Sequence, residues 1–158
     1  MNQTAATSLP NILAAECAAL QRFVALLERE QGMLVENRTD QLLELSGQKS
    51  SDALSLNKLA ESRHTLLQHD IPQLTRAAID DWLTKHHAKS LPVWHDIVSL
   101  TERARELNQI NGQLIQSKLR HNQQALTVLS NAVNQSALYG ADGQARFSPG
   151  SGRSLGSG

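Results

Sequence analysis

Aromatic residues make up only 3% of this chain, too few for the stacking platforms that grip unpaired bases. Neither sign of charge is in excess, since fifteen Lys and Arg balance fifteen Asp and Glu. A nucleic-acid footprint needs a basic stripe, so no nucleic-acid partner is expected. A single cysteine, Cys17, leaves no intrachain disulfide and fits a reducing compartment. No apolar run approaches the roughly 18 residues of a membrane span. The opening MNQTAATSLPNILAAE lacks the basic and continuous apolar regions of a signal peptide. The expectation is a cytoplasmic protein that does not insert into a membrane.

Catalytic patterns are missing too. There is no P-loop, GxGxxG or GxSxG. Cys17 lies on an apolar helical seam, whereas a reactive thiol needs an electropositive, partly exposed setting. The histidines are His64, His69, His86, His87, His95 and His121. No two of them are spaced as in HExxH, and one cysteine cannot complete a zinc site. Asp80-Asp81 and the carboxylates of Glu102 and Glu106 read as solvated helix faces. No catalytic residue, metal ligand or cofactor is expected, and the chain is read as a non-enzyme.

What is present is Leu and Ala at helical spacing, with no β-type alternation. Leu13, Cys17, Leu20, Val24, Leu27, Gln31 and Leu34 form a heptad seam, widened by Phe23 and Met33. This predicts a helix over residues 9–36, opened by Ser8 and Pro10. The polar break at 37–40 offers Thr39 or Asp40 as an N-cap. A second helix over 40–70 carries Leu42, Leu45, Leu56, Leu59 and Leu66, with Lys49, Asp52 and Arg63 at intervening seam positions. The short connection predicts an antiparallel hairpin. Pro72 ends the second helix. A short helix over 73–87 carries Leu74, Ala78, Trp82 and Leu83, and Ser90 and Pro92 restart the chain. The fold class is therefore all-α: a hairpin, a short helix and a long C-terminal helix in an elongated, coiled-coil-like bundle. One helical domain spans 1–139, followed by a disordered Gly/Ser-rich tail at 140–158.

The last helix is the informative one. Over 93–138 its apolar line runs through Trp94, Ile97, Leu100, Ala104, Leu107, Asn111 and Leu114. The stretch 108–114 reads as the inner junction of the bundle, where polar residues fix register. Beyond it Leu119, Leu126, Leu129, Val133 and Leu138 keep an apolar side. At 1.5 Å per residue such a helix reaches roughly 65–70 Å, against about 40–45 Å for each hairpin helix. Its end therefore outruns its partners unless it bends back. Two uses fit that surplus face: clamping an amphipathic helix of another protein, or self-association into a coiled-coil homodimer. About 500 Å² of apolar burial has a gross value near 12 kcal/mol, before association costs.

The run Asn108-Gln-Ile-Asn111-Gly112-Gln-Leu114-Ile115 and the ending Leu138-Tyr139-Gly140-Ala-Asp142-Gly143-Gln144 resemble the FlgN family of flagellar type III export chaperones. With the leucine-rich hairpin, the resemblance covers residues 9–144. One departure is Ala141, where the family pattern commonly has Pro. The resemblance implies a cytosolic, non-enzymatic chaperone. Its cargo would be the C-terminal helices of the hook–filament junction proteins (FlgK and FlgL type), kept from premature assembly and delivered to the cytosolic domain of the export gate FlhA. It places cargo on the C-terminal amphipathic helix, hence on Leu119, Leu126, Leu129, Val133 and Leu138. It places gate docking on Tyr139, the only tyrosine. Sequestration of a flagellar transcription factor is a further role found among related short chaperones.

Overall fold

A computed structural model describes residues 8–138, with side chains through 131. Its α-helices are α1 (Leu9–Val35), α2 (Leu42–Leu67), α3 (Arg76–His86) and α4 (Leu91–Leu138), with a 3₁₀ turn at Ala88–Ser90 before α4. No strand occurs among the described residues. The all-α class and the order of elements agree with the sequence reading. The proposed tail at 140–158 lies outside the described residues. Residue contacts divide the chain into two units, Met1–Leu114 and Ile115–Gly158, with α4 running from one into the other.

Within the first unit, α1 is the central element. Leu13, Cys17, Leu20, Val24, Leu27 and Leu34 are all buried, as the heptad spacing predicts. A second line, Ile12, Ala19, Leu26 and Met33, is buried as well. By length and hydropathy α1 could cross a bilayer, which the count of uninterrupted apolar residues did not register. Of the stretch that passes this test, 56% is instead buried inside the protein. The helix stops in a Schellman turn: Arg38 N–H donates to Met33 O (2.8 Å) and Asn37 N–H to Leu34 O (3.4 Å). This needs a left-handed residue, and Asn37 supplies it at φ 58°.

Two ion pairs fix α2 antiparallel to α1. Arg63 Nε donates to Glu16 Oε2 at 2.8 Å, and Lys49 Nζ to Glu30 Oε1 at 3.2 Å. As one residue number falls by fourteen the other rises by fourteen, so a single register serves both. The short-loop expectation of a hairpin is met. Three details differ from it. The N-cap of α2 is Gln41, in helical conformation and without a side-chain cap bond, so neither Thr39 nor Asp40 takes that position. The helix ends at Leu67, and the chain turns so that Ile71, next to Pro72, enters the core. Finally Leu67 is buried at 1% exposure while Leu66 stays at 36%, because Leu67 follows Arg63 by four residues on the inner line.

The N-terminal end of α1, the end of α2, α3 and the start of α4 share the largest core. It contains Leu9, Leu13, Cys17, Leu20, Leu67, Ile71, Ile79, Leu83, Trp94 and Ile97. Here α3 starts three residues later than its apolar pattern suggests, because Thr75 caps it: Thr75 Oγ1 accepts from Ala78 N–H at 3.1 Å. Leu74 still packs on the core from outside the helix. From this junction α4 runs parallel to α1, with Val24 and Leu27 against Ala104 and Leu107.

Candidate functional site

The last layer of the first unit is polar. Asn111, fully buried, donates its side-chain amide to Leu27 O (2.9 Å) and to Glu30 Oε1 (2.8 Å). The same Glu30 oxygen receives Lys49 from α2. One buried carboxylate thus ties together all three long helices. Such a layer penalises sliding of α4 along α1, because any slip leaves a buried amide or carboxylate without partners. Of the stretch 108–114, expected to fix register, Asn111 is the residue that enters this layer. The second half of the arrangement, the buried Glu16 and Glu30, was not legible on the apolar seam. The signal was available as charge spacing: Glu16 and Glu30 are separated by fourteen residues, as are Lys49 and Arg63.

The second unit presents a different surface. From Ile115 to Asn131 every residue is exposed except the half-buried Lys118. Leu119 is 57% exposed, Leu126 65% and Leu129 62%. Together with Ile115 they lie at intervals of four, seven and three, which keeps them on one side of an α-helix. Asn122 falls on the same line midway. The helical backbone continues through Val133 and Leu138, but their side chains, and Tyr139 altogether, lie outside the described residues. Of the six residues proposed for binding, the structure thus brings Leu119, Leu126 and Leu129 into one exposed aliphatic line. Ile115 joins them from the motif itself. The sequence holds no acidic residue between Glu106 and Asp142, while Lys118 and Arg120 lie within that interval. Chemically this face can bury apolar side chains and tolerate acidic neighbours.

The cysteine and the histidines lie apart from this face, except His121 in the second unit. Burial, then the nearby Asp96 and Glu16 carboxylates, push the Cys17 thiol up from its ordinary 9.0, which keeps it protonated and unreactive. All six histidines are exposed. His95 pairs with Asp80, and His86 and His87 lie against the Trp82 ring. No cluster of three or more potential metal ligands occurs among the described residues.

The FlgN protein family model matches residues 1–146. The chain belongs to the FlgN family. A relative from Salmonella typhimurium named flagella synthesis protein FlgN is 31% identical over 151 residues, covering 94% of this chain and 98% of that protein. The Escherichia coli protein of the same name is 30% identical over 144 residues, 87% of this chain and 90% of its own. A Yersinia enterocolitica FlgN reaches 44% identity over 63 residues, 40% of this chain and 42% of its own. No solved structure matches significantly. The family match spans all of the described residues.

Proposed function

We propose that this FlgN-family chain acts in flagellar synthesis as a cytoplasmic, non-enzymatic export chaperone. Its α4 face, Leu119, Leu126 and Leu129 with Val133 and Leu138 beyond, covers the amphipathic C-terminal helices of hook–filament junction proteins of the FlgK and FlgL type. Junction-protein helices that assemble through apolar contacts stay unassembled while that face is occupied. Tyr139 then contributes to docking on the cytosolic domain of the export gate FlhA, where the cargo is released. The observation that carries this reading is the exposure of three leucines on one line of a helix whose first half uses the same spacing to build a core. Monomeric proteins leave single apolar residues exposed without consequence, whereas several gathered on one face of a helix favour an interaction surface.

The test is binding of labelled junction-protein C-terminal segments to the full chain, followed by fluorescence anisotropy. Each buried leucine is worth about 1.5–3 kcal/mol. The double change Leu126→Asp and Leu129→Asp should therefore weaken binding by about 100-fold or more, with the helical circular dichroism unchanged. Equal affinity of the variant would remove the cargo role from this face. Loss of gate binding, with cargo binding intact, is the outcome expected for Tyr139→Ala.

A further inference from the structure

The aliphatic line on the second half of α4 has one polar member. Ile115, Leu119, Asn122, Leu126 and Leu129 follow one another at intervals of four, three, four and three, the a/d rhythm of a helix that packs on another helix. Asn122 is exposed, as are the residues on either side of it, so its amide is open to water. A second helix laid on the line changes that. Asn122 sits between Leu119 and Leu126, and a helix that reaches both also covers the amide and strips its water. A buried amide without a hydrogen-bond partner is costly.

The first half of α4 shows what such a position needs. Asn111 also interrupts an apolar line, between Leu107 and Leu114, and it is fully buried. Its amide donates to acceptors on the helix that covers it, the Leu27 carbonyl and the Glu30 carboxylate. Asn122 repeats the residue and the kind of position, and its acceptor has to arrive with the helix that covers it. No Asp or Glu occurs between Glu106 and Asp142, so an incoming carboxylate meets no like charge from this stretch of α4. Resting on the cargo role proposed above for this face, we infer that Asn122 selects the cargo and sets its register: the bound helix carries one hydrogen-bond-accepting side chain, a carboxylate or an amide, within its apolar face, and Asn122 donates to it. A line of leucines alone accepts an amphipathic helix in several registers a heptad apart. Asn122 penalises every register that lays an apolar residue over it, by about 5- to 150-fold in affinity. Helices that lack the acceptor are discriminated against by the same factor.

Binding of labelled junction-protein C-terminal segments to the full chain, followed by fluorescence anisotropy, separates cargo selection from cargo binding. The segments compared have each polar residue of their apolar face replaced in turn by leucine. Against the wild-type chain, one such replacement should weaken binding by about 5- to 150-fold, because it leaves Asn122 buried and unpaired. Against Asn122→Leu the same replacement should strengthen binding, while the unaltered segment binds that variant more weakly than it binds wild type. A reversal of sign marks a direct pair, which a general change in helicity does not produce. The circular dichroism of Asn122→Leu should match wild type, since the site is exposed. If Asn122→Leu binds the unaltered segment as tightly as wild type does, or if no replacement reverses sign, the selecting role of Asn122 is overturned. The cargo role of the face then still stands, provided that Leu126→Asp with Leu129→Asp abolishes binding. If the wild-type chain binds no junction-protein segment, the cargo role falls and the selecting role falls with it.

Discussion

The two halves of α4 are written in the same code and end in opposite environments. Trp94, Ile97, Ala104 and Leu107 recur at helical spacing and are all buried, Leu107 completely. Leu119, Leu126 and Leu129 recur at the same spacing and remain more than half exposed. Periodicity therefore specifies a face and says nothing about what covers it. The cover depends on chain length. After Glu30, whose carboxylate meets Asn111, α1 has five more residues, while α4 has twenty-seven more after Asn111. The core in the first unit stops where α1 stops.

The sharpest way to break the comparison is to make the same substitution in both halves. Leu107→Ala removes a fully buried side chain between α1 and α4 and should cost about 2–5 kcal/mol of unfolding free energy. Leu126→Ala removes an equal number of atoms from an exposed position and should stay within about 0.5 kcal/mol. Urea denaturation of both variants measures the difference directly. A loss at Leu126 comparable with that at Leu107 would mean that the second half is covered within the chain.

At the boundary between the halves the expected effect is smaller. Asn111→Ala removes two hydrogen bonds and leaves the Leu27 carbonyl and the buried Glu30 with less support. The cost should be about 1–3 kcal/mol by the same measurement. Asn111 Oδ1 is itself buried without a partner, so the net contribution of this side chain is below that of a fully satisfied amide. Glu30→Gln tests the other member of the network. If Asn111→Ala is neutral, the polar layer does not hold the register.

Much of this was readable in the residues, and the failures have physical causes. The α1 seam appeared because six of its seven positions are apolar and all six are buried. The α2 seam was harder. Arg63 and Lys49 occupy inner positions, so hydrophobicity alone could not separate Leu66 from Leu67, which differ by one residue and about 100° of helix. Their partners Glu16 and Glu30 were hidden for the same reason: a buried carboxylate resembles a surface one until its cation is located. The start of α2 was missed because Thr39 and Asp40, good capping types, sit instead in a turn in which Leu42 N–H donates to Thr39 O at 3.3 Å. On the candidate site, sequence supplied the line through Leu119, Leu126 and Leu129. Its periodicity does not say what covers it.

Gly112 offers a gentler way to sharpen the contrast. It lies one residue beyond Asn111 in continuous helix, and an added Cβ would meet nothing within 4 Å. Gly112→Ala should therefore stabilise the chain by about 0.5–1 kcal/mol through reduced freedom of the unfolded state. Destabilisation would show that the backbone at the boundary departs from regular helix.

The smallest effect concerns Cys17, buried in the same core as Ile97. Its thiol is raised above the ordinary 9.0, first by burial and then by the Asp96 and Glu16 carboxylates. A group whose folded pKa is raised leaves stability intact below the unfolded value and removes it as pH climbs toward the folded value, because only the unfolded chain then sheds the proton. Unfolding free energy should accordingly fall above about pH 9, over and above losses from other groups. Cys17→Ala deletes this dependence along with some packing. The difference between wild type and variant isolates it: wild type should hold a constant advantage up to about pH 9 and lose part of it beyond. A difference that stays flat through pH 10 would mean that Cys17 ionises as readily in the folded chain as in the unfolded one, and that this part of the core is wetter than its 9% exposure implies.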